Sequence, residues 1–401
     1  MYLENNKSDK VLSWLFSCSV FFPTISYYSS VILKNCGLPT TTIFAYSIAF
    51  ISAILGYFFC CRRNISPLVL LSIATLIYII TITVYPENRA YMFGEWLDAC
   101  YNPFYDVFVF GLPLIFIPFS IENAHELEKP LFILSFINVM LGIISFLFVL
   151  INGFYYEYMT FSYNMLLASC MFFSISIYKK KHLYTIIATI GSLCIMIVGS
   201  RGAMISVIMF YFIYFFIKKT KSIISFLLLG CCIGLFVFLW GYFYENFLIF
   251  ISEFLKSLNF KSRVIELLLN NEVLVSRGRD NIRQLLLQAI NSAPISGYGI
   301  FGDRAIIGQY AHNVFLEFCV DFGLFGGLLC GFTYVAIQVY SLIYSKKDLF
   351  LFAFNISVIS AVSCRLMFSS SYLINPYFYM MIGGFILCLK NKYNLMHRRI
   401  L

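Results

Sequence analysis

Charge is what this chain has least of. Only 12% of its 401 residues are Asp, Glu, Lys or Arg, against about 25% in soluble domains, which excludes a fold that faces water on all sides. Ligand-spaced cysteines are missing as well. The 13 cysteines include no CxxC pair and no Cys/His spacing, so neither a zinc site nor a disulfide framework is indicated. Most of them, including Cys60-Cys61 and Cys231-Cys232, fall in apolar runs and read as small packing residues. Cys36 and Cys100 fall on one outer face, where a disulfide and two free thiols are both open. There is no internal repeat and no low-complexity tract. The first apolar run, Val11 to Leu33, lacks a small-residue cleavage pattern and is followed by further runs, so it reads as a retained span, not a signal peptide.

What remains is apolar. The chain is 61% hydrophobic and 19% aromatic, and runs of about 20 residues, enough to cross ~30 Å of hydrocarbon as helices, recur throughout. The fold class predicted is all-α: a polytopic integral membrane protein forming a single membrane domain over residues 1–401. Twelve spans are expected, at 11–33, 41–60, 66–86, 104–120, 131–152, 161–178, 183–199, 202–217, 223–243, 314–344, 349–370 and 376–390. With both termini cytoplasmic, inner segments collect the basic clusters Arg62-Arg63, Lys179 to Lys181, Lys218-Lys219, Lys346-Lys347 and Arg398-Arg399. The short outer loops hold only Lys34, Arg89 and Arg201. That asymmetry is the positive-inside pattern. It accounts for the net charge of +9 without a nucleic-acid partner.

One connection stands apart. Residues 244–311 form a loop of roughly 70 residues on the outer, periplasmic side, and a loop that long is usually functional. Phe247 to Leu258 and Arg263 to Leu269 carry apolar residues at helical spacing and suit the interface plane. Asp280 to Ser292 reads as another amphipathic helix, stopped by Pro294 and a glycine-rich turn. That turn, GYGIFG, fits G-x-G-x-x-G formally (Gly297, Gly299, Gly302). It lacks the strand and helix of a βαβ unit, so it is no dinucleotide site. It reads as a flexible turn whose backbone amides can approach a ligand, with Gly299 in a supporting role.

Few residues are placed to do chemistry. Arg201 lies in GSRGAM, at the outer tip between two apolar runs; the plainer alternative is an arginine capping a tight turn at the headgroups. Arg277, Arg279 and Arg283 stand in SRGRDNIRQ, and Arg304 follows the glycine turn. Arg279 and Arg283 share a helix face. A guanidinium is a fork suited to phosphate oxygens, and outside the cytoplasm, where ATP is absent, the phosphate indicated is a lipid-linked pyrophosphate. The alternative is an arginine face on anionic headgroups or on loop carboxylates such as Glu266 and Glu272.

AHNVFLEFCVDFG, residues 311–323, opens the next span with four polar side chains. In a helix Asn313, Glu317 and Asp321 form one stripe, which faces the protein interior or a cavity because facing lipid is costly. His312 is the only histidine on the outer side, and an ideal helix sets it about 140° round from Glu317. A neutral imidazole can take a proton from a hydroxyl; the alternative is an N-cap pair, His312-Asn313. No second or third ligand stands near it, so no metal and no cofactor is implied.

In this order the GSRG tip, the long outer loop, GRD with Pro294 following Arg279, the GYG turn and AHNVFLEFCVDFG resemble the O-antigen ligase/polymerase superfamily of bacterial membrane glycosyltransferases. The resemblance covers residues 183–330 and implies a fold similar to lipid-carrier-dependent membrane glycosyltransferases. It implies a glycan donor on undecaprenyl pyrophosphate, handled at the outer face of the cytoplasmic (inner) membrane, with a flippase and a chain-length regulator as partners. It makes Arg201 and Arg279 pyrophosphate ligands; Arg283 and Arg304, with Arg277 in support, are added as phosphate-binding candidates by the loop's own arginine pattern. It makes His312 the group that activates or orients the acceptor hydroxyl, with Glu317 orienting either His312 or the acceptor; Asn313 is a supporting candidate. The wording YAHNVFLE after GYGIFGDR is more like the repeat-unit polymerases, of O-antigen or capsule, than the ligases. A ligase moving the chain to lipid A-core is the alternative. A lipid-linked sugar flippase or other twelve-span transporter is the second, although such proteins show two related halves that this sequence lacks.

Overall fold

The computed structural model describes residues 2–38, 42–94, 102–152, 157–198, 200–219 and 279–400, with positions 249, 252, 253 and 257. The chain is an all-helical, polytopic membrane protein, and no strand occurs among the described residues. The main helices are α1 Tyr2–Asn35, α2 Thr42–Cys61, α3 Ser66–Val84, α4 Pro113–Ser120, α5 Glu128–Asn152, α6 Tyr158–Tyr178 and α7 His182–Val198. They continue as α8 Arg201–Lys219, α9 Arg279–Ser292, α10 Gly302–Ile307, α11 Val314–Ser345, α12 Leu349–Phe368 and α13 Pro376–Ile400.

The apolar runs of the sequence become these helices because a backbone in lipid must satisfy its own hydrogen bonds. Seven helices among the described residues are long and apolar enough to cross a membrane. Three more, Tyr46–Cys61, His182–Val198 and Arg201–Phe216, are apolar but shorter. The expected span at 223–243 lies outside the described residues, as do the amphipathic stretches Arg263 to Leu269 and most of Phe247 to Leu258. The run expected at 104–120 is helical but irregular: Asp106–Gly111 winds as a π-helix before α4 begins.

The chain packs as two compact units. One comprises Met1–Pro23, Ile43–Leu134 and Ser276–Leu401; the other comprises Thr24–Thr42 and Ser135–Val275. One boundary falls at Pro23 inside α1, where proline removes a helical hydrogen bond. In the second unit α6 is the central helix, with most of its residues buried. It lies close to α7 at Gly191, where a Cβ would come within 2.9 Å of Ser169 Oγ. Tyr28 donates its hydroxyl to the Phe161 carbonyl at 2.6 Å, and Asn138 donates its side-chain amide to Thr24 Oγ1. Arg201 opens α8, half-buried, in this unit.

In the first unit α12 is buried along most of its length, and α11 is broken. At Gly323 the backbone turns to φ 72°, ψ 174°, a combination essentially confined to glycine. The break is filled by the glycine-rich turn: Tyr298 N donates to Val320 O at 2.8 Å, Gly299 N to Asp321 O at 3.0 Å, and Leu324 N to Pro294 O at 2.7 Å. A Cβ on Gly323 would strike the Ile295 carbonyl, and one on Gly297 would strike Gly323 N. Close backbone contact is what the two glycines provide. The amides of Tyr298 and Gly299 therefore close the end of a helical segment and are not offered to a ligand, which corrects the reading of GYG as a ligand-facing turn.

Candidate active site

The site is built in the first unit from three stretches: Pro294–Asn313, the start of α11, and the loop 369–375 after α12. The helix expected at Asp280 to Ser292 is α9. It buries Leu286 and Ile290 against Ala311 and Val320, with Ile306, Ile307 and Leu316 packed around them. That apolar seam fixes α9 to the segment that carries His312. The turn between them is pinned from outside the expected motifs. Tyr85 donates its hydroxyl to Gly297 O at 3.0 Å, and the buried Asn88 donates its side-chain amide to Tyr298 O at 2.7 Å and Ile300 O at 3.0 Å.

His312 is not helical. Its φ is 53°, a left-handed conformation that costs a non-glycine residue roughly 1–2 kcal/mol. The helix-based angle between His312 and Glu317 therefore does not apply. Asn313 alone caps α11, its Oδ1 accepting from Phe315 N at 3.0 Å and Leu316 N at 3.3 Å. The half-exposed His312 ring lies instead against Tyr310, with ring centroids 4.1 Å apart, and its Nδ1 stands 3.2 Å from Phe368 O. A carbonyl only accepts, so Nδ1 carries the proton and a neutral ring presents its lone pair on Nε2. Tyr310 donates its own hydroxyl to Ser369 O at 3.0 Å.

Behind His312 lies a buried ionic cluster. Asp303, Arg304, Glu317 and Asp321 are all at most 1% exposed. Arg304 Nη1 bonds Asp303 Oδ1 at 2.7 Å and Glu317 Oε1 at 3.4 Å, and its guanidinium lies 4.7 Å from the centre of the Phe301 ring. Burial alone would lower the Arg304 pKa, but the Asp303, Glu317 and Asp321 carboxylates outweigh it and raise it, so the group stays charged. Asp303 Oδ2 accepts from Ala311 N at 2.8 Å. Glu317 accepts from the Ser371 hydroxyl and, at 3.4 Å, from Tyr372 N. Tyr372 donates its hydroxyl to Asp321 Oδ2 at 2.8 Å. Burial, then the Asp321 and Glu317 charges, raise the Tyr372 pKa, so it remains a donor.

These placements sort the residues singled out in the sequence. Glu317 and Asp321 point inward with partners on the 369–375 loop. Arg304 is enclosed among carboxylates and is not presented to a phosphate. Arg279 opens α9 and Arg283 stands exposed one turn later. Arg277, Cys100, Glu266 and Glu272 lie outside the described residues. Arg201 belongs to the other unit. Arg365, in the last turn of α12, sits 5.7 Å from the centre of the Tyr377 ring. Asn88, Asp303, Ser371 and Tyr372 carried no sequence signal beyond polarity. Among the described residues no group of three or more His, Cys, Asp or Glu is arranged to hold a metal ion.

Residues 186–331 match the family model described as O-Antigen ligase. The matched stretch contains Arg201, Arg279, Arg283, Arg304, His312 and Glu317. It supports the O-antigen ligase/polymerase superfamily, and with the apolar helices it supports an integral membrane enzyme of surface-polysaccharide assembly. It does not separate polymerase from ligase. A search of curated proteins finds no match to the chain.

Proposed function

We propose that the protein is a repeat-unit polymerase that joins undecaprenyl-pyrophosphate-linked oligosaccharides into O-antigen or capsular polysaccharide at the outer face of the bacterial inner membrane. The observation that carries this reading is His312: a half-exposed imidazole, held left-handed, with Nδ1 on the Phe368 carbonyl, inside the matched stretch. In the proposed reaction Nε2 takes the proton of the acceptor sugar's hydroxyl. The hydroxyl oxygen bonds the donor's anomeric carbon as the bond from that carbon to the pyrophosphate oxygen breaks. The pyrophosphate leaves with its negative charge on the carrier lipid. Arg201, Arg279 and Arg283 are the proposed partners of that charge, with Arg277 in support, since fixed guanidinium forks favour developing phosphate charge.

The wording of residues 310–317 favours polymerase, while the description of the matching family favours ligase as the second reading. A surface-polysaccharide gel from a deletion strain, rescued by wild type or by His312→Ala, separates the two. A polymerase defect leaves a single repeat on lipid A-core. A ligase defect leaves lipid A-core bare while long chains build up on the lipid carrier. A normal ladder from His312→Ala would remove His312 as the base, and full polymer from both His312→Ala and Arg201→Ala would remove the enzymatic reading.

A further inference from the structure

The buried polar groups behind His312 form a closed circuit. Asp303 accepts from Arg304 N and Nη1 through Oδ1, and from Ala311 N through Oδ2. Ala311 adjoins His312, whose ring bonds Phe368 O. Three residues on, Ser371 bonds Glu317, and Glu317 returns the circuit to Arg304. Both chain stretches that meet the imidazole, 310–312 and 368–372, are thereby tied to one guanidinium. Two non-glycine residues in the 297–313 segment, Phe301 at φ 64° and His312 at φ 53°, are left-handed. Such conformations persist where the surroundings over-determine them.

The circuit ends on the Ala311 amide, next to His312, and on Ser371 and Tyr372, in the loop that begins at the imidazole's partner Phe368. We propose that Asp303, Arg304, Glu317 and Ser371 are positioning residues, which fix His312 in its Nδ1-protonated tautomer by holding the Ala311 amide on one side and the Phe368–Tyr372 loop on the other. This rests on the reading of His312 as the base. Asp303, Arg304, Glu317 and Ser371 are buried, and they act through backbone near His312: Asp303 on the Ala311 amide, Glu317 with Ser371 on the loop that follows Phe368. The logic is that of an oriented base, whose active tautomer is set by the group bonded to its other nitrogen.

The test uses the full-length protein in nanodiscs, labelled with ¹⁵N-histidine, with His312→Ala to assign the His312 signals. In the wild type Nδ1 should give a protonated and Nε2 an unprotonated nitrogen shift at pH above the imidazole range. Asp303→Asn, Glu317→Gln and Ser371→Ala should each yield a mixture of tautomers. Turnover is read with the repeat unit on its own undecaprenyl pyrophosphate, extracted from the deletion strain. Asp303→Asn should lower kcat by roughly 100-fold, the scale of a small misplacement of a catalytic group, with KM little changed. Ser371→Ala and Ser371→Thr keep the test valid if the charge variants do not fold, since Thr restores the hydroxyl and should restore both tautomer and kcat. Wild-type tautomer and turnover in Ser371→Ala, or no rescue by Thr, would overturn the proposal. If the tautomer responds as described but the wild type extends no lipid-linked glycan, the polymerase reading fails and the positioning of His312 stands.

Discussion

His312 Nδ1 stands 3.2 Å from the carbonyl oxygen of Phe368, a residue 56 positions later in the chain. The contact joins the mouth of α11 to the end of α12, and it directs the histidine's lone pair to Nε2. The Tyr310 ring lies over the same imidazole, and its hydroxyl holds the neighbouring carbonyl of Ser369. The orientation of one side chain thus depends on a loop that follows a different helix.

Tyr310 separates these contributions. Tyr310→Phe removes the hydroxyl bond but keeps the ring, and should cost about 0.5–1.5 kcal/mol of stability while polymer formation continues. Tyr310→Ala removes the ring contact as well and should shorten or abolish the polysaccharide ladder. Thermal unfolding in detergent and the gel ladder read the two effects; equal ladders from both variants would assign the ring no part in placing His312.

Arg304 and Arg283 should behave oppositely. Arg304→Gln leaves Asp303, Glu317 and Asp321 buried without their cation and should destabilise the protein by roughly 3–5 kcal/mol, seen as a lower unfolding temperature and reduced membrane levels. Arg283 is exposed, so Arg283→Ala should change stability by no more than about 0.5 kcal/mol. A loss of polymer from Arg283→Ala at normal protein level is the result expected of a phosphate ligand.

At Gly323 a side chain has no room. Gly323→Ala places a Cβ against the Ile295 carbonyl, at a φ, ψ pair that alanine avoids. The expected loss is about 1–3 kcal/mol from the backbone alone, with further loss if the 294–299 turn shifts. Thermal unfolding measures it, and an unchanged melting temperature would mean that the break in α11 is not the stable form.

Asn88 should matter more than its place in the short turn Pro86–Asn88 suggests. Asn88→Ala strips the donors from Tyr298 O and Ile300 O, and leaving buried acceptors unpaired costs roughly 1–3 kcal/mol. Limited proteolysis of membranes should then cut the 294–313 segment faster than in wild type. Unaltered cleavage would show that the α9 seam holds the turn unaided.

The helices were legible because lipid reduces the choice to apolar runs of sufficient length, and composition measures those directly. Eleven of the twelve expected spans, all but 223–243, coincide with helical segments among the described residues. Spacing also placed α9 and two members of the expected stripe, Glu317 and Asp321, because helical periodicity is a local property; the third, Asn313, precedes the helix and caps it instead. The family resemblance over residues 183–330 rested on short ordered motifs, and the family match falls on nearly the same stretch.

Partner choice was not legible. Arg304 looked like a phosphate ligand because one residue type serves both an ion pair and an anion site, and only burial tells them apart. GYG looked free to meet a ligand because nothing in its sequence reveals a broken helix 20-odd residues later that accepts its amides. The sequence by itself determined that this chain is a bundle of membrane helices with a polar mouth at residues 311–321. The tertiary structure decided which polar atoms at that mouth are closed off and how His312 is turned, because hydrogen bonds between Asp303 and Ala311, Glu317 and Ser371, and His312 and Phe368 join segments whose approach no local pattern encodes.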